Sequence, residues 1–166
     1  MPVVKLFTDA SVNPRSKIGY GAYLFIPPGS FSLDALKLRI KVKRFDQTSS
    51  TKLELQTVLW ALDRVPHLCK KVVIYTDSQN IIGLPGRRSR LEQNNYRSKG
   101  NKLINNYKLY QAFFQVLDRC NCEFLKIQGH KVSHQKDGLD RLFTLVDRAS
   151  RKALRDEENR PMHIEP

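Results

Sequence analysis

Leu6-Phe7-Thr8-Asp9-Ala10-Ser11 and Ile74-Tyr75-Thr76-Asp77-Ser78-Gln79 follow one local design, an apolar run that ends in Thr-Asp and passes into small polar residues. If the two runs are parallel neighbouring strands, Asp9 and Asp77 meet at the carboxyl edge of a sheet, where open α/β folds build their sites. Each also has an ordinary use, because Asp commonly follows a strand and Asp77 could cap the helix that begins near Ser78. Glu54 closes a Thr51-Lys52-Leu53-Glu54 capping-box pattern. It also lies in helical line with Val58, Ala61 and Val65, which aims it inward at the sheet edge. A further carboxylate could come from Asp140 or Asp147; they are seven residues apart, on nearly one helix face but about 10 Å apart along its axis, so only one can join the others. Carboxylates gathered in this way repel unless a cation sits between them, and oxygen-only donors favour Mg²⁺ or Mn²⁺.

The elements that must position these groups can be read from periodicity. Residues 3–9 are β-branched and aromatic, residues 18–26 form an apolar run stopped by Pro27-Pro28, and residues 36–45 alternate Leu36, Leu38, Ile40 and Val42 with Lys and Arg. From Thr51 the period becomes helical until Pro66. A strand over 71–76 follows, then a short helix after Ser78 that breaks at 83–86, a helix over 103–117, a strand over 122–128, a loop over 129–138 and a helix over 139–155. Residues 156–166 read as a polar, frayed tail. The expected fold class is therefore α/β: a mixed five-stranded sheet, its first three strands antiparallel and the later ones parallel through helical crossovers, with helices packed on it. One domain over 1–155 is expected.

Composition narrows the partner. In 166 residues, 29 Lys and Arg stand against 16 Asp and Glu, a net charge of +13, while 40% of residues are apolar. That excludes a multidomain machine and a disordered chain, and it points to a polyanion, either nucleic acid or an anionic membrane. No apolar run reaches membrane-span length. The first residues read as a strand and not as a secretion signal, so a cytoplasmic protein is expected. Cys69, Cys120 and Cys122 fit neither a disulfide scaffold nor a common zinc spacing and are expected to be reduced packing residues; Trp60, inside the apolar helix, is expected in the core. Ser11, Ser50, Thr51, Ser78 and Asn80 lie close in sequence to the candidate ligands and could bind phosphate or sugar. Arg87, Arg88, Arg90, Arg97, Lys99, Lys102 and Lys108 form a basic stretch opposed only by Glu92 and interleaved with Tyr96, Tyr107 and Tyr110. Taken alone, such a stretch reads as a solvated surface.

Phe7 to Ser11, Ile18-Gly19-Tyr20-Gly21-Ala22, Thr48 to Leu55, Tyr75 to Gln79 and Gly129-His130, in this order and spacing, resemble the type 1 ribonuclease H family from Val3 to Arg155. The resemblance implies the same five-stranded fold and cleavage of the RNA strand of an RNA–DNA hybrid with two divalent ions, Mg²⁺ or alternatively Mn²⁺, leaving 5′-phosphate and 3′-hydroxyl ends. It makes Asp9, Glu54 and Asp77 metal-binding and catalytic, His130 a loop histidine for proton transfer or product departure, and the basic stretch an arm on the duplex. The fourth ligand departs from the pattern. The family spacing from His130 selects Asp140, yet Val146 to Arg151 looks more like the family's final helix motif. Small Ala149 and Ser150 would let that helix approach the sheet, whereas bulky Leu142 and Phe143 follow Asp140. Asp147 is favoured, with residues 139–146 as an added lead-in. A monomer with no obligate protein partner is expected. The rival expectations are a binding module on this fold that has lost catalysis, and a related metal-dependent nuclease acting on another nucleic acid.

Overall fold

The chain runs β1 (Val3–Asn13), β2 (Ile18–Ile26), α1 (Leu33–Lys37), β3 (Lys41–Phe45), α2 (Ser50–Asp63), β4 (Lys71–Thr76), α3 (Gln79–Gln93), α4 (Tyr107–Arg119), β5 (Cys122–Lys126) and α5 (Gly138–Glu158). These come from a computed structural model that describes residues 3–65, 71–128 and 137–160. The sheet order is β3-β2-β1-β4-β5. β1 pairs antiparallel with β2 and β2 with β3, whereas β4 lies parallel to β1 and β5 parallel to β4. Short links allow the antiparallel pairs and helical crossovers the parallel ones, as the order of elements predicts.

The period-two alternation of the central strands creates two cores. Leu6, Val72 and Ile74 meet Leu55, Val58 and Ala61 of α2, Ile81 and Leu84 of α3, and Phe113 and Phe114 of α4. Phe7, Ala22, Leu24 and Tyr75 on the other face meet Phe143, Leu145 and Val146 of α5. Each fully buried Leu or Phe contributes roughly 1.5–3 kcal/mol against the entropy of ordering the chain. Gly19 and Gly21 let α2 close on β2, because a Cβ would run into Leu53 Cδ2 at the first and Thr57 Oγ1 at the second. That approach carries Glu54 to the sheet edge. Trp60 packs edge-on to Tyr23 with ring centroids 4.5 Å apart, and Cys120 and Cys122 are free thiols against the same core; Cys69 lies outside the described residues.

Several expected boundaries change. Residues 36–45 are not one strand: Ser32 caps α1 by accepting from Ala35 N at 3.1 Å. Leu36 and Ile40 enter the α5-side core while Leu38 between them is 88% exposed. The alternating pattern also contains an i, i+4 pair, and burial follows that pair. β3 is thus a short edge strand whose exposed Lys41, Lys43 and Arg44 discourage pairing with another chain. α3 does not break at 83–86. Pro85 removes a backbone donor within the helix, but buried Ile81 and Leu84 before it and Leu91 after it hold both halves on the core. Arg88 then clamps α3 to α4, with Nη1 and Nη2 on the Asp118 carboxylate at 2.6 and 2.9 Å.

α4 begins at Tyr107 and not at residue 103, because Leu103 pairs with Arg97 in an antiparallel bridge and Ile104 N donates to Tyr96 O at 2.9 Å. Asn95, Tyr96, Asn101 and Asn106 take left-handed φ in this turn-rich segment, a conformation Asn tolerates better than most residues. β5 stops at Lys126, short of the expected 128. α5 continues to Glu158, into the expected tail, because Glu157 accepts from Arg44 Nε at 2.6 Å and Glu158 from Asn13 Nδ2 at 2.9 Å. Among the described residues no helix is long and apolar enough to cross a membrane.

Candidate active site

The last β1–β4 pair is Phe7↔Tyr75, so two residues further on Asp9 and Asp77 are neighbours at the carboxyl edge of the sheet. Thr8 and Thr76 turn to the opposite face and are buried. The local caps decide what the acidic residues are for. Ser78, not Asp77, caps α3, its Oγ accepting from Ile81 N at 3.2 Å. Ser49, not the Thr51–Glu54 pair, caps α2 by accepting from Lys52 N at 3.4 Å. Glu54 turns instead to α3, where its Oε2 accepts from Ser78 Oγ at 2.6 Å. One hydroxyl therefore finishes a helix and fixes a carboxylate of its neighbour.

α5 delivers Asp147. Its carboxyl shares a hydrogen bond with Asp9 and takes Arg151 Nε at 2.8 Å. Ser150, fully buried, donates to the Asp147 carbonyl at 3.1 Å and meets Ser11 Oγ at 3.0 Å. Small residues at 149 and 150 permit this approach of helix to strand. Asp140 is elsewhere: its Oδ2 accepts from Asp137 N at 3.1 Å while Asp137 Oδ1 accepts from Asp140 N at 2.9 Å, a capping box at the start of α5. The structure brings Asp147 to Asp9 and leaves Asp140 at the helix end.

Thr8, Asp9, Ala10, Glu54, Thr57, Thr76 and Asp77 line a small cleft at this edge. Burial, the charge of Asp77 and the hydrogen bond to Asp147 push Asp9 up to about 9, against the pull of the Ala10 backbone. Burial also raises Glu54, the Ser78 hydrogen bond opposes it, and Asp77 adds to it. Carboxyls in this state ask for a positive charge. Among the described residues no three Asp, Glu, His or Cys side chains are already gathered tightly enough to hold an ion. Glu54 is turned to Ser78 and Asp147 to Arg151, so a shared ion requires side-chain rotation. The donor chemistry nonetheless fits: hard oxygen ligands and repelling carboxyls at a partly buried edge suit Mg²⁺ or Mn²⁺.

The other candidates separate. Ser50 and Thr51 are exposed on the first turn of α2. Ser78 is 5% exposed and engaged as described, which makes it a support for Glu54 and not a surface contact. Asn80 Oδ1 accepts from Arg87 Nη2 at 2.6 Å, and its buried Nδ2 has no hydrogen-bond partner among the described residues. Arg88 is committed to Asp118 and to Glu92 at 2.8 Å and lies over the Phe114 ring. Arg90, Arg97, Lys99, Lys102 and Lys108 are exposed, with Arg97 Nη1 also on Asn101 O at 2.9 Å. His130 lies outside the described residues. Arg151 belongs to none of the expected site groups, yet it stands four residues after Asp147 on a charged helix face, and that i, i+4 spacing is a readable sign of pairing.

Comparison with known proteins agrees with this architecture. A protein named Ribonuclease H from Caldicellulosiruptor saccharolyticus is 23% identical over 159 residues, covering 94% of this chain and 99% of its own. Another of that name from Idiomarina loihiensis is 27% identical over 158 residues, covering 93% of each. The model of the RNase H family matches residues 1–151, which takes in every strand and the carboxylates of all four contributing elements. The chain belongs to the RNase H family.

Proposed function

We propose that the chain is an endonuclease that hydrolyses the RNA strand of RNA–DNA hybrids, with two Mg²⁺ ions held by Asp9, Glu54, Asp77 and Asp147 and products ending in 5′-phosphate and 3′-hydroxyl. The convergence of carboxyls from β1, α2, the end of β4 and α5 on one edge, in a chain of net charge +13, carries this reading. A module that only bound phosphates would gain nothing from such a cluster. Bound there, divalent ions supply an acidified water and counter-charge for the attacked phosphate and the departing 3′ oxygen. The protein's part is to hold and orient. Asp9 and Asp77 offer adjacent carboxylates, while Ser78 and Arg151 hold Glu54 and Asp147 beside them in the metal-free arrangement, from which both carboxyls would turn to meet an ion. His130 is assigned proton transfer or product departure. Arg90, Arg97, Lys99 and Lys102 contact backbone phosphates, while Ser50 and Thr51 lie where 2′-hydroxyls and sugars of the substrate pass.

The test is cleavage of a labelled RNA–DNA hybrid, duplex RNA and duplex DNA side by side, with Mg²⁺, with Mn²⁺ and in EDTA. Cleavage confined to the RNA of the hybrid, requiring a divalent ion and leaving 5′-phosphates, is expected. Binding of the hybrid without cleavage would identify a non-catalytic module, and preferential cutting of DNA would identify another nuclease; either result overturns the proposal.

A further inference from the structure

We infer that Lys126 is a positioning residue for substrate: it holds the Gln79 side chain by its oxygen, so the amide that opens α3 meets nucleic acid through its N–H donors. The inference rests on the proposed hybrid cleavage and extends it to how the duplex is recognised beside the cleft. Lys126 Nζ donates to Gln79 Oε1 at 2.8 Å. An ammonium has donors only, so the amide atom that faces it must be the oxygen, and the NH₂ is the group left for a ligand. The register pairs Lys126 with Thr76, next to Asp77, and Gln79 is the first residue of α3, two positions beyond Asp77. Both side chains are exposed. Asn80 repeats the arrangement with Arg87 on its oxygen, but its Nδ2 is shut off from solvent; the donor that the first turn offers outward is therefore that of Gln79.

A donor in this place has defined counterparts. The minor groove of a hybrid presents base acceptors and, on the RNA strand, 2′-hydroxyl oxygens. An amide that could rotate would meet them with oxygen as often as with nitrogen. Holding the oxygen removes the unproductive orientation before binding.

The experiment compares Lys126→Met, Gln79→Ala and the double variant for KM and kcat on a hybrid, and for hybrid affinity in EDTA across a salt series. Each single variant is expected to raise KM and Kd about three- to tenfold, with kcat and thermal stability unchanged, and the double variant to be no worse than either. Lys126→Arg, another donor-only cation, is expected to restore the wild-type values. Additive losses, unchanged affinity, or a salt slope reduced by about one phosphate contact would overturn the inference, the last by making Lys126 a direct phosphate ligand. Because affinity in EDTA needs no cleavage, an uncut hybrid with wild-type protein would defeat the proposed activity and still leave Lys126 tested.

Discussion

The carboxylate edge keeps its charge in place by burial, and the basic segment from Arg87 to Lys108 keeps its charge in reach by exposure. At the edge, four short side chains come from four elements, and each has a local support: Ser78 for Glu54, Arg151 for Asp147, the strand register for Asp9 and Asp77. The backbones are held close, and the cost of burying these groups together is visible in Asp9, pushed up to about 9. In the basic segment, position is loose and cost small, because long cations on the surface lose little hydration. Even there the fold divides the labour. Arg87 and Arg88 are turned onto Asn80 and Asp118, which leaves Arg90, Arg97, Lys99, Lys102 and Lys108 as the outer set. Chemistry requires the first kind of region and steering only the second, and like charges in sequence need not share a task.

The largest expected effect separates function from stability at the edge. Asp9→Asn should lower the cleavage rate by about a thousandfold or more, as loss of a metal ligand does, and should make the protein more stable in EDTA. The sign follows from Asp9 itself. Its folded value, about 9, lies above the ordinary 3.8, so the folded state holds the proton more tightly, and the contribution of Asp9 is fully present below about pH 4 and lost as pH rises towards 9. The advantage of Asn should be near zero at pH 4, clear at pH 7 and largest above pH 9. Denaturant unfolding at several pH values checks it; a variant less stable than wild type at pH 7 in EDTA would break the contrast between buried and exposed charge.

A smaller effect tests the division within the basic segment. Lys99→Ala with Lys102→Ala should weaken hybrid binding severalfold at moderate salt and flatten the salt dependence by about one unit for each lost phosphate contact, with melting temperature unchanged. Arg88→Ala should do the reverse, lowering the melting temperature while leaving the salt slope intact, because its partners are Glu92, Asp118 and Phe114. Equal salt slopes for the two variants would erase the distinction. The smallest effect lies far from both regions. Arg44 holds Glu157 below the usual carboxylate range, so its stabilising contribution is present above that range and lost as pH falls through the lowered value. Glu157→Gln should melt slightly lower than wild type at pH 7 and match it in strong acid.

The repeated Thr-Asp ending of two apolar strands was enough to place Asp9 and Asp77 together, since parallel pairing follows from helical crossovers. Glu54 was legible from its line with Val58 and Ala61, both buried, and Asp147 from the small residues after it. What sequence could not supply depended on partners distant in the chain. The alternation of Leu36, Leu38, Ile40 and Val42 is compatible with helix or strand, and only packing against α5 chose. Pro85 with its flanking glycines reads as a break, but the Arg88 clamp and apolar side chains packed on the core on both sides carry the helix through. Ser78 looked like a surface contact because its closeness to Glu54, twenty-four residues earlier, arises from two helices meeting. Lys126 had no local signal at all, for its place beside Thr76 exists only in the β4–β5 register.

The central claim is that the edge cuts what the basic segment holds. Asp77→Asn, measured for hybrid affinity and for Mg²⁺-dependent single-turnover cleavage in the same preparation, tests it most directly, because the side chain that caps α3 is that of Ser78 and not of Asp77. The expected result is wild-type affinity, a native melting curve and cleavage reduced at least a thousandfold. Cleavage at the wild-type rate by Asp77→Asn would contradict the account.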